Sequence, residues 1–182
     1  IEGLKADPRA KMNELGAARV FDRIGSEPTG RAFNSPVAVV DMPTHTANPL
    51  VNAGAIATTS LITGSSADDK WNKILNFYSQ AAGEKLTLID EVYQSEAATN
   101  AGNKALSMLL AKYERIYSDP FTSVDIYTKQ CSVGVNVVQL ARMGATLANN
   151  GVQASGIAGT VAAPRYPSSG CGEGATSGAL LD

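Results

Sequence analysis

Three segments of the chain carry polar side chains where a packed interior would carry apolar ones. They are Asn48–Ile56, Tyr93–Asn103 and Asp125–Ser132. Asn52 sits among small and apolar neighbours that read as a buried helix. A buried amide left without partners costs about 1–3 kcal/mol. A single such residue is usually a satisfied core amide. Three polar islands holding Asn, Glu and Tyr point instead to the wall of a small-molecule site. Asn52, Glu96, Asn103 and Tyr127 together suit one kind of ligand. Side-chain amides present both donors and acceptors, a carboxylate can hold an ammonium group, and a phenol can pass a proton. Glu96 and Asn103 are seven residues apart, so on one continuous helix they would lie about 20° apart around the axis. The blander alternative has Glu96 and Asn103 solvated and Tyr127 packed in a core. Residue types alone do not choose between the two.

Other chemistries are poorly supplied. The chain has one histidine, His45, and two cysteines, Cys131 and Cys171. A zinc site takes three or four clustered ligands, so no metal is expected. His45 lies in a loop-like Met-Pro-Thr-His-Thr-Ala-Asn-Pro context and reads as a surface residue, not a general base. Proton transfer then falls to Lys, Tyr or Glu. The spacing of the cysteines leaves a disulfide open without demanding one, and the chain reads as reduced and cytoplasmic. A net charge of −2 gives no reason to expect nucleic acid or an anionic membrane as partner. No apolar run approaches the roughly 20 residues that span a bilayer. Ile1 is not a natural start residue, so the true N-terminus is expected to lie elsewhere.

The elements that must position these residues are mostly helices. Met12, Leu15, Val20 and Ile24 fit one helical face that stops near Gly25. Glu27–Gly30 reads as a turn and Asn34–Val40 as an extended segment. Asn48 and Pro49 read as the cap and first turn of a helix running through Ala53, Ala57 and Leu61 to Gly64. Ser66 and Asp69 resemble a capping box, followed by a stripe of Trp71, Ile74, Leu75 and Tyr78 that Gly83 ends. Lys85–Glu96 shows no clear period. Leu106, Leu109, Leu110, Tyr113 and Ile116 mark another helix, and Thr122–Cys131 a further one. Asn136 and Gln139 form a second capping box before Leu140, Met143 and Leu147. Residues 153–182 are rich in Gly, Ala and Ser and offer little core material.

Five motifs, in order, resemble the serine-dependent glutaminases. Asn48–Ile56 (Asn-Pro-Leu-Val-Asn-Ala-Gly-Ala-Ile) is similar to a signature of that family. So are Glu27-Pro-Thr-Gly30 with Phe33-Asn-Ser35, Ser95-Glu96 with Asn103, Tyr127 with Cys131-Ser132, and Met143–Asn149. The resemblance implies an α+β fold of the β-lactamase/transpeptidase type, with an antiparallel sheet, flanking helices and a helical domain. In this chain the helical domain is expected to be largely present and the sheet incomplete. Residues 1–151 would be the helical region with part of the catalytic domain, and residues 152–182 a remnant of its C-terminal part. The implied activity is hydrolysis of L-glutamine to L-glutamate and ammonia through a serine acyl-enzyme, without metal or organic cofactor, in a cytoplasmic homo-oligomer. Asn52, Glu96 and Asn103 would bind the amino-acid end of the substrate, and Tyr127 would help move the proton. Tyr166 matches a second active-site tyrosine. Ala179 matches a residue whose backbone amide lines the oxyanion hole, with Thr176 where the family has lysine.

One departure is large. The family's nucleophile and base form a Ser-x-x-Lys motif, and no such spacing occurs in these 182 residues. The chain is expected to be part of a longer glutaminase. Alternatives are a non-catalytic relative that binds glutamine or glutamate, and an amidase of the same fold with another substrate.

Overall fold

The computed structural model describes residues 19–149 and 151–152. Residues 19–24 are helical and stop at Gly25, whose φ of 78° only glycine adopts easily. The Met12 and Leu15 part of that expected helix lies outside the described residues. The next element, α1 (Pro36–Asp41), is a short helix and not the expected extended segment. Its Val-rich sequence favours strand, but Pro36 fixes φ for a first helical turn and outweighs the local β preference.

Helix α2 (Asn52–Ser60) begins later than its sequence suggests. The Asn48 Oδ1 accepts from the backbone N–H groups of Leu50 and Val51 at 2.9 and 3.2 Å. Asn48 therefore caps a turn that precedes the helix. Its own Nδ2 donates to the Glu27 carbonyl at 2.8 Å. The loop before it is conformationally costly. His45 and Ala47 both have positive φ, 58° and 62°. Thr46 between them is buried and donates to the Ile24 carbonyl at 2.7 Å. This loop lies directly on α2. A Cβ on Gly54 would stand 1.8 Å from the Asn48 carbonyl oxygen and 2.8 Å from that of Thr46. Gly54→Ala is therefore expected to cost about 3 kcal/mol or more, because both obstacles are backbone. A large fall in the urea midpoint would check this, and an unchanged midpoint would contradict the close approach.

Helix α3 (Ala67–Ala82) starts at Ser66, whose side chain accepts from the Asp69 N–H, and ends at left-handed Gly83, as its sequence suggests. Only half of the capping box forms, since the Asp69 carboxylate turns to the Ser65 N–H and Lys73. A two-residue strand β1 (Thr87–Leu88) follows, then α4 (Asp90–Thr99) and α5 (Ala101–Lys112). Helix α6 (Pro120–Cys131) is capped by Asp119, which accepts from the Thr122 N–H at 2.7 Å. Hydrogen bonding from the Thr122 side chain, then from its N–H, holds the Asp119 carboxyl below its usual pKa range. Strand β2 (Val133–Gly134) pairs antiparallel with β1, Thr87 opposite Gly134 and Leu88 opposite Val133. This ladder is the sheet component among the described residues.

Helix α7 (Val137–Ala148) opens with the complete Asn136–Gln139 capping box. Leu140 and Leu147 are exposed, and the buried position is Thr146, which donates to the Ala81 carbonyl of α3 at 3.0 Å.

The core joins Ile24, Val39, Ala53, Ile56, Ala57, Leu106, Leu110 and Val124. It is thus built where α1, α2, α5 and α6 meet. Small residues on α2 let α5 and α6 approach, and that approach brings the three polar islands together.

Candidate active site

Asn52 opens α2 and Asn103 lies in the first turn of α5. The Asn52 Nδ2 donates to the Asn103 Oδ1 at 2.8 Å, across 51 residues of sequence. Both side chains are half-buried. Their mutual bond consumes one donor group and one acceptor. Whichever way the two amides are turned, acceptor and donor capacity remain for a ligand. The Asn52 backbone is fixed as well, its N–H donating to the Phe33 carbonyl at 2.9 Å.

Glu96 is exposed on α4. The shared-face argument for Glu96 and Asn103 does not hold, because the helix breaks at Asn100 (φ −82°, ψ 24°) and the two residues stand on separate helices. Both helices pack on α6. At the break, the Asn100 Nδ2 donates to the Thr128 hydroxyl of α6 at 3.3 Å.

Tyr127 is half-buried and packs against the core, so part of the bland reading is correct. Its hydroxyl is nevertheless in polar company. Burial first, then the neighbouring Cys131, then the negative charge of Glu96 hold it well above the ordinary tyrosine pKa. Tyr127 therefore carries its proton at neutral pH. Glu96 acts on Cys131 too, whose thiol is raised mainly by burial. These couplings put Glu96, Tyr127 and Cys131 in one neighbourhood. Tyr78 of α3 borders it and donates to the Gln130 Oε1 at 3.2 Å, while the Gln130 Nε2 donates to the Thr59 hydroxyl at 2.8 Å. A single amide on α6 thus ties α2 and α3 to the helix that carries Tyr127.

His45 is not the surface residue its context suggests. Its ring stacks on Tyr113 at 3.8 Å and its Nδ1 meets the Val39 carbonyl at 2.7 Å. A carbonyl only accepts, so Nδ1 carries the proton and the ring serves structure. Tyr166 and Ala179 lie outside the described residues. The residue types alone did not single out Tyr93, Asp125, Gln130 or Cys131. The available signal was helical spacing, since Tyr93 is one turn before Glu96, and Cys131 one turn after Tyr127.

The arrangement suits a zwitterionic amino acid: a carboxylate for the ammonium, amides for carboxylate oxygens, and a protonated phenol. A family model described as Glutaminase matches residues 9–163. Glutaminase 1 of Shigella flexneri is 47% identical over 141 residues, covering 78% of this chain and 46% of that protein. A probable glutaminase, ybaS, superposes with a TM-score of 0.75 at 45% identity, over 79% of this chain and 46% of its own. Mglu in its L-glutamate-binding form superposes with a TM-score of 0.70 at 30% identity, over 82% of this chain and 35% of its own. The chain spans a little under half the length of the curated relative it matches. With its helical core shared with these structures, and its α+β fold with theirs, the chain belongs to the glutaminase family.

Proposed function

We propose that the protein acts as a glutaminase, hydrolysing L-glutamine to L-glutamate and ammonia, and that this chain supplies the wall that recognises the amino-acid end of the substrate. The observation that carries the reading is the Asn52–Asn103 bond, supported by the effect of Glu96 on Tyr127. Four residues from four helices supply the polarity a glutamine zwitterion requires. In this reading Glu96 pairs with the ammonium, and Asn52 and Asn103 hold the carboxylate end. Tyr127 delivers a proton to the leaving nitrogen beside the serine nucleophile. The L-glutamate-binding form of Mglu supports the same ligand class. Tyr166 and Ala179 belong to the proposal through their motifs alone, the latter as a backbone donor to the oxyanion. A cytoplasmic homo-oligomer acting without cofactor completes it, together with the division into residues 1–151 and 152–182.

The missing Ser-x-x-Lys spacing favours one second reading, a relative that binds glutamine or glutamate without turning it over. A full-length protein carrying this chain separates the two. Equal release of ammonia and L-glutamate from L-glutamine is the expected result, measured by coupled assay. Saturable L-glutamate binding with no ammonia release would support the binding protein instead. Release from asparagine and not glutamine would point to another amidase.

A further inference from the structure

We propose that Tyr93 and Asp125, with Lys129, form a polar latch that holds α4 against α6 and thereby sets where Glu96 meets the substrate. The inference rests on the substrate-site reading above and adds positioning residues to it. The need for a latch comes from α4 itself. No residue of this helix is buried, so burial of apolar surface does little to hold it. Its half-buried positions are Tyr93, Ala97 and Asn100, which recur at helical spacing and mark the side facing α6. Glu96 lies about 60° around the axis from Tyr93. Any roll or shift of α4 moves that carboxylate.

The Tyr93 hydroxyl donates to the Asp125 Oδ1 at 2.5 Å. The other Asp125 oxygen meets the Lys129 ammonium at 3.0 Å. That ammonium also lies 5.6 Å from the Tyr93 ring centroid, within cation–π range. One carboxylate thus joins a phenol from α4 to a cation from α6. The bond to Asp125, with burial and its negative charge, pushes the Tyr93 pKa up to about 12, so the donor stays protonated. Two further contacts pin the ends of α4: the Ile89 N–H to the Ser132 carbonyl at 2.9 Å, and Asn100 to Thr128. Tyr93 and Asp125 hold the middle, one turn from Glu96 along α4 and two residues from Tyr127 along α6. Neither needs to touch the substrate to matter.

The test uses full-length protein with Tyr93→Phe, Asp125→Asn and the double variant. Three readouts are taken: kcat and KM for L-glutamine, Kd for L-glutamate by calorimetry, and amide hydrogen exchange of residues 90–99. Tyr93→Phe should raise KM and Kd about tenfold with kcat changed less than about twofold. Exchange should quicken in residues 90–99 and stay unchanged in α2 and α6. The double variant should lie close to the worse single, because Tyr93→Phe removes the bond that Asp125→Asn weakens by taking away its charge. Unchanged KM and Kd with unchanged exchange would overturn the latch. So would a uniform rise in exchange, which marks general destabilisation. Wild-type protein that neither binds L-glutamate nor turns over L-glutamine would sink the substrate-site reading, and exchange would still decide the latch.

Discussion

Tyr127→Phe in a full-length protein carrying this chain is expected to lower kcat for L-glutamine by about 10²–10⁴-fold, the usual worth of a positioned proton donor. The substitution removes one hydroxyl and keeps the ring. That ring packs against the core around Val124, so the thermal midpoint should stay close to wild type. KM should change little, since recognition of the amino-acid end falls to other groups. The direction of the pKa shift assigns the role. Burial, then Cys131, Glu96 and Tyr78, favour the neutral phenol over the phenolate. A group held above the ordinary 10.0 is fully protonated at neutral pH. It can donate to the departing nitrogen but is poorly placed to begin as a base. Loss of activity on the alkaline side should therefore not come from Tyr127 until the pH exceeds that ordinary value. Steady-state kinetics across pH check both statements. A variant with full kcat and a lowered thermal midpoint would show that Tyr127 only packs.

The two amides that meet in the site were legible because both stand in small-residue surroundings that force polar groups to find partners. Asn52 and Asn103 found each other. The caps were legible for the same local reason: Asn136 with Gln139, and Ser66 with the Asp69 N–H, act within one turn. What failed was whatever depended on a hydrophobic period that the structure does not use. Helix α4 has no period because it buries nothing, and only Asp90 and Glu91 at its start mark it as a helix. Helix α7 was legible from its cap, but its packing was not: Thr146 is buried and bonds to the Ala81 carbonyl, while Leu140 and Leu147 are exposed. The start of α2 was misplaced because Asn48 does cap something. It caps a turn whose backbone crosses Gly54, and only the three-dimensional path shows that. The break at Asn100 was hidden by a run of Ala, Thr, Asn and Gly with no strong breaker at the junction. At the break, Asn100 bonds across the interface to Thr128, a partner the local sequence does not reveal.

Glu96→Gln should separate charge from shape. The amide keeps the size and the hydrogen-bonding reach of the carboxylate and loses only its charge. An ammonium about 4 Å from a carboxylate gains about 4 kcal/mol at an effective dielectric of about 20. Glu96 is exposed before substrate arrives, so solvent offsets part of this. With about half remaining, affinity for L-glutamate and kcat/KM for L-glutamine should fall roughly 30-fold, at 1.4 kcal/mol per tenfold. The loss should sit in KM, because the ammonium carries the same charge in ground and transition states. Glutarate supplies the control, as L-glutamate without its ammonium. Wild-type protein should favour L-glutamate over glutarate. The variant should lose most of that preference, chiefly by binding L-glutamate less and not by binding glutarate less. Removing Glu96 also removes a negative charge that raises the Tyr127 pKa, so kcat should not suffer from a lost proton. If L-glutamate and glutarate both weaken equally, Glu96 shapes the helix and does not read the ammonium. If neither changes, the ammonium is held elsewhere.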